Sequence, residues 1–148
     1  MDMLIGEFRN TLDEKGRILF PSKLRSALAE QDGLMVTQGL DHCLMLFTAE
    51  EWKNLNEKIV GSVSLFNDQK RLVMRRFIAP AQKVDFDKTG RLSIPQSLRE
   101  YAGLAGECVI LGINKYMELW DAGSYKTYLE ATESSFQQAA ESMSDILL

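Results

Sequence analysis

The chain has 148 residues, 45% hydrophobic and 26% charged, an ordinary globular composition long enough for one domain or for one domain built from two related halves. No apolar run approaches the ~20 residues a membrane helix requires. The N-terminus has no basic region followed by a long apolar core, so no membrane span and no signal peptide are expected, and the default location is cytoplasmic. The net charge of −4 argues against a nucleic-acid partner only until it is located: residues 130–148 hold Glu130, Glu133, Glu141 and Asp145 and no Lys or Arg, so this tail supplies the whole imbalance and the body is neutral.

Ile5 to Leu12 alternates as a strand, with Phe8, Asn10 and Leu12 on one side. Asp13-Glu14-Lys15-Gly16 reads as a tight turn, because Asp bonds its own backbone two residues on and Gly takes a positive φ without steric cost. The first strand is expected to turn back here and run beside Arg17 to Phe20, with Ile18 and Phe20 on one face and Arg17 and Leu19 on the other. Pro21 ends that strand, and residues 22–29 read as a short helix with Ser22 as a plausible cap. Leu34 to Gln38 and Cys43 to Phe47 form a second hairpin around Gly39-Leu40-Asp41-His42. Thr48 followed by Glu51 fits a capping box, opening a helix to about Val60 whose apolar stripe is Trp52, Leu55 and Ile59. Ser64 to Ile78 predicts a connecting helix carrying Lys70, Arg71, Arg75 and Arg76, read first as a charged solvent face and alternatively as a supplementary phosphate contact.

The same plan then repeats: strand Gln82 to Phe86, turn Asp87 to Gly90, strand Arg91 to Ile94, Pro95, a helix over 96–102, and a hairpin of Val109 to Leu111 and Tyr116 to Trp120 around Gly112 to Lys115. Asp121 takes the capping place of Thr48. The last residues, from Phe136, read as a frayed helix or a disordered tail. Cys43 and Cys108 form no C-x-x-C and read as small core or interface residues; His42 has no second histidine to help it hold a metal, so no metal site and no cofactor are expected.

Both halves carry D-x-x-G-R-x-x-x-P-x-x-L-R, at Asp13–Arg25 and at Asp87–Arg99, offset by 87 − 13, or 74 residues. Each copy places an arginine directly after the turn glycine, Arg17 and Arg91, where a stiff guanidinium suits fork-like bonding to phosphate or a guanine edge. Lys15, Lys23, Arg25 and Arg99 flank these corners as candidate phosphate contacts. Asp13, Gly16, Asp87 and Gly90 read as turn-forming residues, with the two aspartates as hydrogen-bond acceptors and not catalytic carboxylates. Trp52, Trp120 and Tyr125 read as packing residues. Leu4, Ile5, Leu19, Leu40 and Ile113 look poorly placed for a small core, a pattern that marks subunit contacts.

Met3 to Arg25, Asp87 to Leu104 and Gly112 to Asp121 resemble the MraZ family, and the resemblance covers essentially residues 3–130. It implies an α+β, mainly β fold: a double-split β-barrel related to AbrB-type transcription factors, made from two tandem pseudo-repeats with flanking helices. The implied division is 1–62 and 80–130 as two halves of one pseudo-dimeric domain, 63–79 as the connecting helix and 131–148 as an acidic tail. The resemblance also implies a homo-oligomeric ring, octamer or dodecamer. Such a ring would bind double-stranded DNA at direct G-rich repeats in the promoter of the division and cell-wall gene cluster, including its own operon, in a cytoplasmic, nucleoid-associated setting. The family's D-x-K-G-R motif maps onto Asp13, Lys15, Gly16 and Arg17; the second copy has Thr89 where the lysine would stand, leaving Arg91 as its main contact and setting the two halves apart. Three rivals stand beside this reading. An enzyme lacks a phosphate loop or nucleophile elbow in the sequence. The others are a purely structural ring and an AbrB-like antitoxin using the tail as its toxin-binding arm.

Overall fold

The computed structural model of the chain describes residues 3–62 and 64–147, so the expected boundary at Val63 and the two chain ends lie outside the described residues. Among the described residues, eight strands and seven α-helices follow in order: β1 (Leu4–Thr11), β2 (Arg17–Leu19), α1 (Ser22–Ala27), β3 (Gly33–Gln38), β4 (Leu44–Phe47), α2 (Ala49–Ser62), α3 (Asp68–Val73), β5 (Gln82–Asp85), β6 (Arg91–Ser93), α4 (Gln96–Ala102), β7 (Glu107–Asn114), β8 (Tyr116–Asp121), α5 (Ala122–Ala131), α6 (Glu133–Ser142) and α7 (Ser144–Leu147). A single π-helical turn, Met74–Ile78, continues α3. Among the described residues, helix outnumbers strand, so "mainly β" does not describe the fold: the connecting segment is helical only from Asp68 to Ile78, because Asn67 caps the helix and residues 64–67 form a turn, and the C-terminal region is helical apart from turns at Thr132 and Met143, so the disordered alternative for the tail falls away.

The strands form a six-stranded antiparallel sheet, in the order β1-β7-β8-β4-β3-β5, and a separate two-stranded ribbon, β2-β6. Neither closes on itself; β1 and β5 are free edges of the larger sheet. The order is pseudo-symmetric about the β4–β8 seam. Each half's β-hairpin (β3-β4 or β7-β8) receives the first strand of the other half, with Phe8 opposite Ile110 and Leu34 opposite Val84.

The expected local hairpin between the first two strands of each unit is therefore reduced to its turn in the first unit and to the turn with a single antiparallel bridge, Phe86 to Leu92, in the second. A three-residue strand offers an eight-residue one too few partners. The turn is satisfied locally instead, Asp13 N–H donating to Arg17 O and Gly16 N–H to Asp13 O, at 2.9 and 3.0 Å. β2 then pairs across the two halves, Arg17 opposite Ser93, Ile18 opposite Leu92 and Leu19 opposite Arg91. Phe20 N–H to Gly90 O and Ile94 N–H to Gly16 O lock the ribbon's ends.

The core lies between ribbon and sheet. Ile18, Phe20, Leu92 and Ile94 pack in one buried cluster with Leu34, Leu44, Leu46, Ile110 and Leu119 of the sheet and with Leu24 and Leu98 of α1 and α4. Leu4 is fully buried there, at the end of the inward row that continues through Phe8, so it is no subunit-contact residue; Ile5, Leu19, Leu40 and Ile113 are exposed. A second cluster seats Trp52, Leu55 and Ile59 of α2 on Met45, Phe47 and Phe77. Thr48 caps α2 by accepting the Glu51 N–H, and Asp121 caps α5 by accepting that of Ser124. Ser22 caps nothing: Pro21 occupies the cap position and Ser22 is already inside the first turn of α1. Gly112, expected in a loop, lies within β7 because a side chain there would strike the Leu4 carbonyl group 2.8 Å away; the glycine admits β1 to the sheet. Cys43 and Cys108 are buried free thiols, raised by that burial to about 12 and about 11.

Candidate nucleic-acid interface

In each turn one carboxylate organises the backbone. Asp13 Oδ1 accepts the N–H groups of Lys15 and Arg17, both at 2.9 Å, and Asp87 Oδ1 accepts those of Thr89 and Arg91, both at 2.9 Å. The second oxygen takes the arginine side chain: Arg17 Nε to Asp13 Oδ2 and Arg91 Nε to Asp87 Oδ2, each at 2.8 Å. These bonds favour the charged acid. The Arg17 N–H holds Asp13 below its ordinary value, with the Arg17 side chain and Lys15 N–H adding to it against partial desolvation. The Arg91 N–H does the same for Asp87, aided by the hydroxyl of Thr89 and the Arg91 side chain.

The arginines are thus tethered but not consumed. Each spends its Nε on its own aspartate, and neither donates an Nη to any described residue within hydrogen-bond distance; Arg91 Nη1 stands 3.9 Å from Asp13 Oδ2. About 28% of the Arg17 side chain and 34% of the Arg91 side chain remain exposed. Directly opposed residues of a ladder share a face, so Arg17, Leu19, Arg91 and Ser93 line the outside of the ribbon while Ile18 and Leu92 point inward.

Arg25 and Arg99 sit differently from the solvent-facing lysines. Gly16 and Gly90 have φ of +76° and +85°, and a β-carbon on either would collide with an arginine of the opposite half, Arg99 Nη1 at the first and Arg25 Nη1 at the second. Arg25 on α1 therefore covers the second turn and Arg99 on α4 covers the first. Arg25 Nε donates to Phe20 O at 3.0 Å, whereas Arg99 Nε is buried without a partner among the described residues. Lys15 is exposed in the first turn and Lys23 on α1. The structure so gathers Arg17, Arg25, Arg91 and Arg99 around one ribbon. Residues 13–25 carry four cations against two carboxylates, and residues 87–99 three against one, so this face is cationic on an acidic chain.

Sequence reasoning gave Asn10 no role. It reaches from β1 to the ribbon, donating Nδ2 to Leu19 O at 2.6 Å. The available signal was an amide in the inward row with Phe8 and Leu12, where a polar group needs a partner. His42 lies against Tyr101, ring centroids 5.5 Å apart, and no group of three or more potential metal ligands exists among the described residues.

The family model described as "MraZ protein, putative antitoxin-like" matches twice, over residues 3–76 and 77–147. The chain belongs to the MraZ family. Among its relatives is a protein of Treponema denticola named transcriptional regulator MraZ, 52% identical over 143 residues that cover 97% of this chain and 99% of that one. Proteins of the same name from Treponema pallidum and Halothermothrix orenii are 41% and 40% identical, each over 97% of this chain and over 95% and 99% of their own lengths. The two matched stretches are the two halves that exchange strands, and each contains one of the aspartate–arginine turns.

Proposed function

We propose that the chain is a sequence-specific DNA-binding transcriptional regulator, non-enzymatic, whose reading head is the β2–β6 ribbon. The observation that carries this is the pair of arginines on the ribbon's outer face, each fixed through Nε by an aspartate and neither donating an Nη hydrogen bond to a described residue. The major groove admits a two-stranded β-ribbon, and arginine pairs with guanine O6 and N7 for about 1–3 kcal/mol of discrimination per good contact. Lys15 and Lys23 bind phosphate, which positions without reading. Arg25 and Arg99 add charge and hold the turns of the opposite half. The relatives' name, transcriptional regulator MraZ, supports the reading.

In its finer form the target is the set of direct G-rich repeats in the promoter of the division and cell-wall gene cluster, including the protein's own operon, and the working location is the nucleoid. Ribbon and sheet together are read as a double-split β-barrel, with 1–62 and 80–130 as halves of one domain, 63–79 as connector and 131–148 as tail. A homo-oligomeric ring, octamer or dodecamer, brings several ribbons to successive repeats, so that contacts weak singly add through linkage. The test is a mobility shift on DNA from upstream of the protein's own operon. Arg17→Ala loses the specific shift and keeps the assembly size; unchanged specific binding by that variant removes the proposed reader.

A further inference from the structure

The exchanged topology duplicates a cleft as well as a turn. In each case the tip of one half's hairpin stands beside the helix that follows the other half's hairpin: the β7–β8 tip beside α2, and the β3–β4 tip beside α5. The two clefts match residue by residue at an offset of 112 − 39, or 73. Leu40 corresponds to Ile113, Trp120 to Phe47 and Tyr128 to Leu55.

Their chemistry has diverged. The α2 cleft, about 850 Å³, balances Glu51 and Glu57 with Lys58 and Lys115. The α5 cleft, about 720 Å³, holds Asp41 and Asp121, and no lysine or arginine lines it. Asp41 stands where the other cleft has Asn114, and His42 and Ala131 stand where it has Lys115 and Lys58. Asp41 is exposed and joins none of the ion pairs among the described residues.

The inner wall of the α5 cleft is aromatic. Trp120 Nε1 donates to Glu118 Oε1 at 3.0 Å, which fixes the indole, and the Tyr128 ring lies 4.9 Å from it between centroids. The Asp41 charge holds the Tyr128 hydroxyl above its ordinary value, with burial and the Glu118 charge adding to it, so carboxylate and phenol share one space. The amino end of α5 offers no seat for an anion, because Asp121 Oδ2 already accepts the Ser124 N–H at 3.0 Å and the Ser124 hydroxyl at 3.2 Å. A metal ion is disfavoured as well, since no three potential ligands gather among the described residues. Aromatic rings beside an unpaired carboxylate suit a cation with an apolar stem, and the volume is that of a small-molecule site.

We propose that the α5 cleft binds a small organic cation, a primary amine on a short aliphatic stem. Its ammonium group sits between Asp41 and the rings of Tyr128 and Trp120, and its stem runs along Leu40 and Ala131. No residue of β2 or β6 lines the cleft, so the site is separate from the proposed reading head.

The test is isothermal titration calorimetry on the full-length protein at constant ionic strength, with putrescine as the probe and butanediol as the neutral molecule of the same stem. Putrescine gives saturable heat and butanediol none. Asp41→Asn, which copies Asn114, weakens binding by about fivefold or more. Tyr128→Leu, which copies Leu55, weakens it by about two- to fivefold. Both variants place residues that the matching cleft already seats, and Asp41→Glu keeps the charge and the affinity. A capped lysine amide, titrated in parallel, separates two sources of the same chemistry: tighter binding of putrescine assigns the cleft to free amines, tighter binding of the lysine amide to a polypeptide side chain. Glu133→Gln with Glu141→Gln removes two tail charges and leaves the affinity unchanged; if it weakens putrescine as much as Asp41→Asn does, the amine is only a counterion of an acidic chain and the site is overturned. Absence of saturation by either amine, or full affinity in Asp41→Asn, overturns it equally. Neither outcome touches the DNA reading, which the Arg17→Ala shift assay reports separately.

Discussion

At the residue scale, the turns owe their rigidity to two carboxylates. Each gathers two backbone N–H groups and one guanidinium, so the arginine's direction is set by the same group that closes the turn. This gives the turns an acid sensitivity of definite sign. Folding lowers both aspartates below the ordinary value of 3.8, so at low pH the unfolded chain binds more protons than the folded one. The stability they contribute is complete above that value and is lost as pH falls through the lower folded values. Urea midpoints followed from about pH 5 to about pH 2 should therefore decline, and Asp13→Asn with Asp87→Asn should flatten that decline while lowering the midpoint at neutral pH. An acid limb as steep in the double variant as in the wild type would place the sensitivity elsewhere. The D-x-x-G-R turn was legible in the sequence because every partner lies within four residues. The place of Arg25 and Arg99 was not, because each covers a glycine in the other half, and no local spacing encodes that contact.

At the element scale, most strands and helices could be read from alternation, caps and prolines, but the pairing between them could not. Ile18 and Leu92 alternate inward wherever their strands pair, so the pattern fits a local hairpin and a cross-half ribbon equally; only the short length of β2 and β6 favours the second. Gly112 was misplaced for a related reason, since a strand glycine needed for close approach of β1 carries the same letter as a loop glycine. The exchanged pairing makes the two halves mechanically one. Leu92, fully buried opposite Ile18, supports Arg17 as directly as it supports Arg91. Leu92→Ala should cost about 2–5 kcal/mol of stability, as large-to-small core changes do. It should also speed amide exchange at Arg17–Leu19 as much as at Arg91–Ser93. Faster exchange confined to the second half would contradict the ribbon.

At the scale of the whole molecule, the duplication is symmetric in backbone and unequal in chemistry. The six-stranded order reads the same from either edge once the halves are exchanged, and the ribbon's centre falls on Ile18 and Leu92. The outer face breaks that equivalence: Leu19 stands beside Arg91 but Ser93 beside Arg17, and the first turn offers Lys15 where the second offers Thr89. The Thr89 hydroxyl donates to Asp87 Oδ1 at 2.9 Å, so at this position the second turn tightens its own aspartate and adds no cation. The Thr89 N–H makes the same bond as the Lys15 N–H, so a lysine can replace the threonine without loss of the backbone frame. Thr89→Lys should then add one phosphate contact per chain. Each neutralised phosphate releases condensed counterions, so the plot of log affinity against log salt should steepen by about 0.9 per engaged turn. Preference among DNA sequences should stay where it was, since a phosphate contact carries no base information. Titrations of the wild type and Thr89→Lys on the promoter repeats and on unrelated DNA of equal length separate the outcomes: equal steepening on both assigns the position to the backbone, and an unchanged slope would mean that the second turn does not face the duplex.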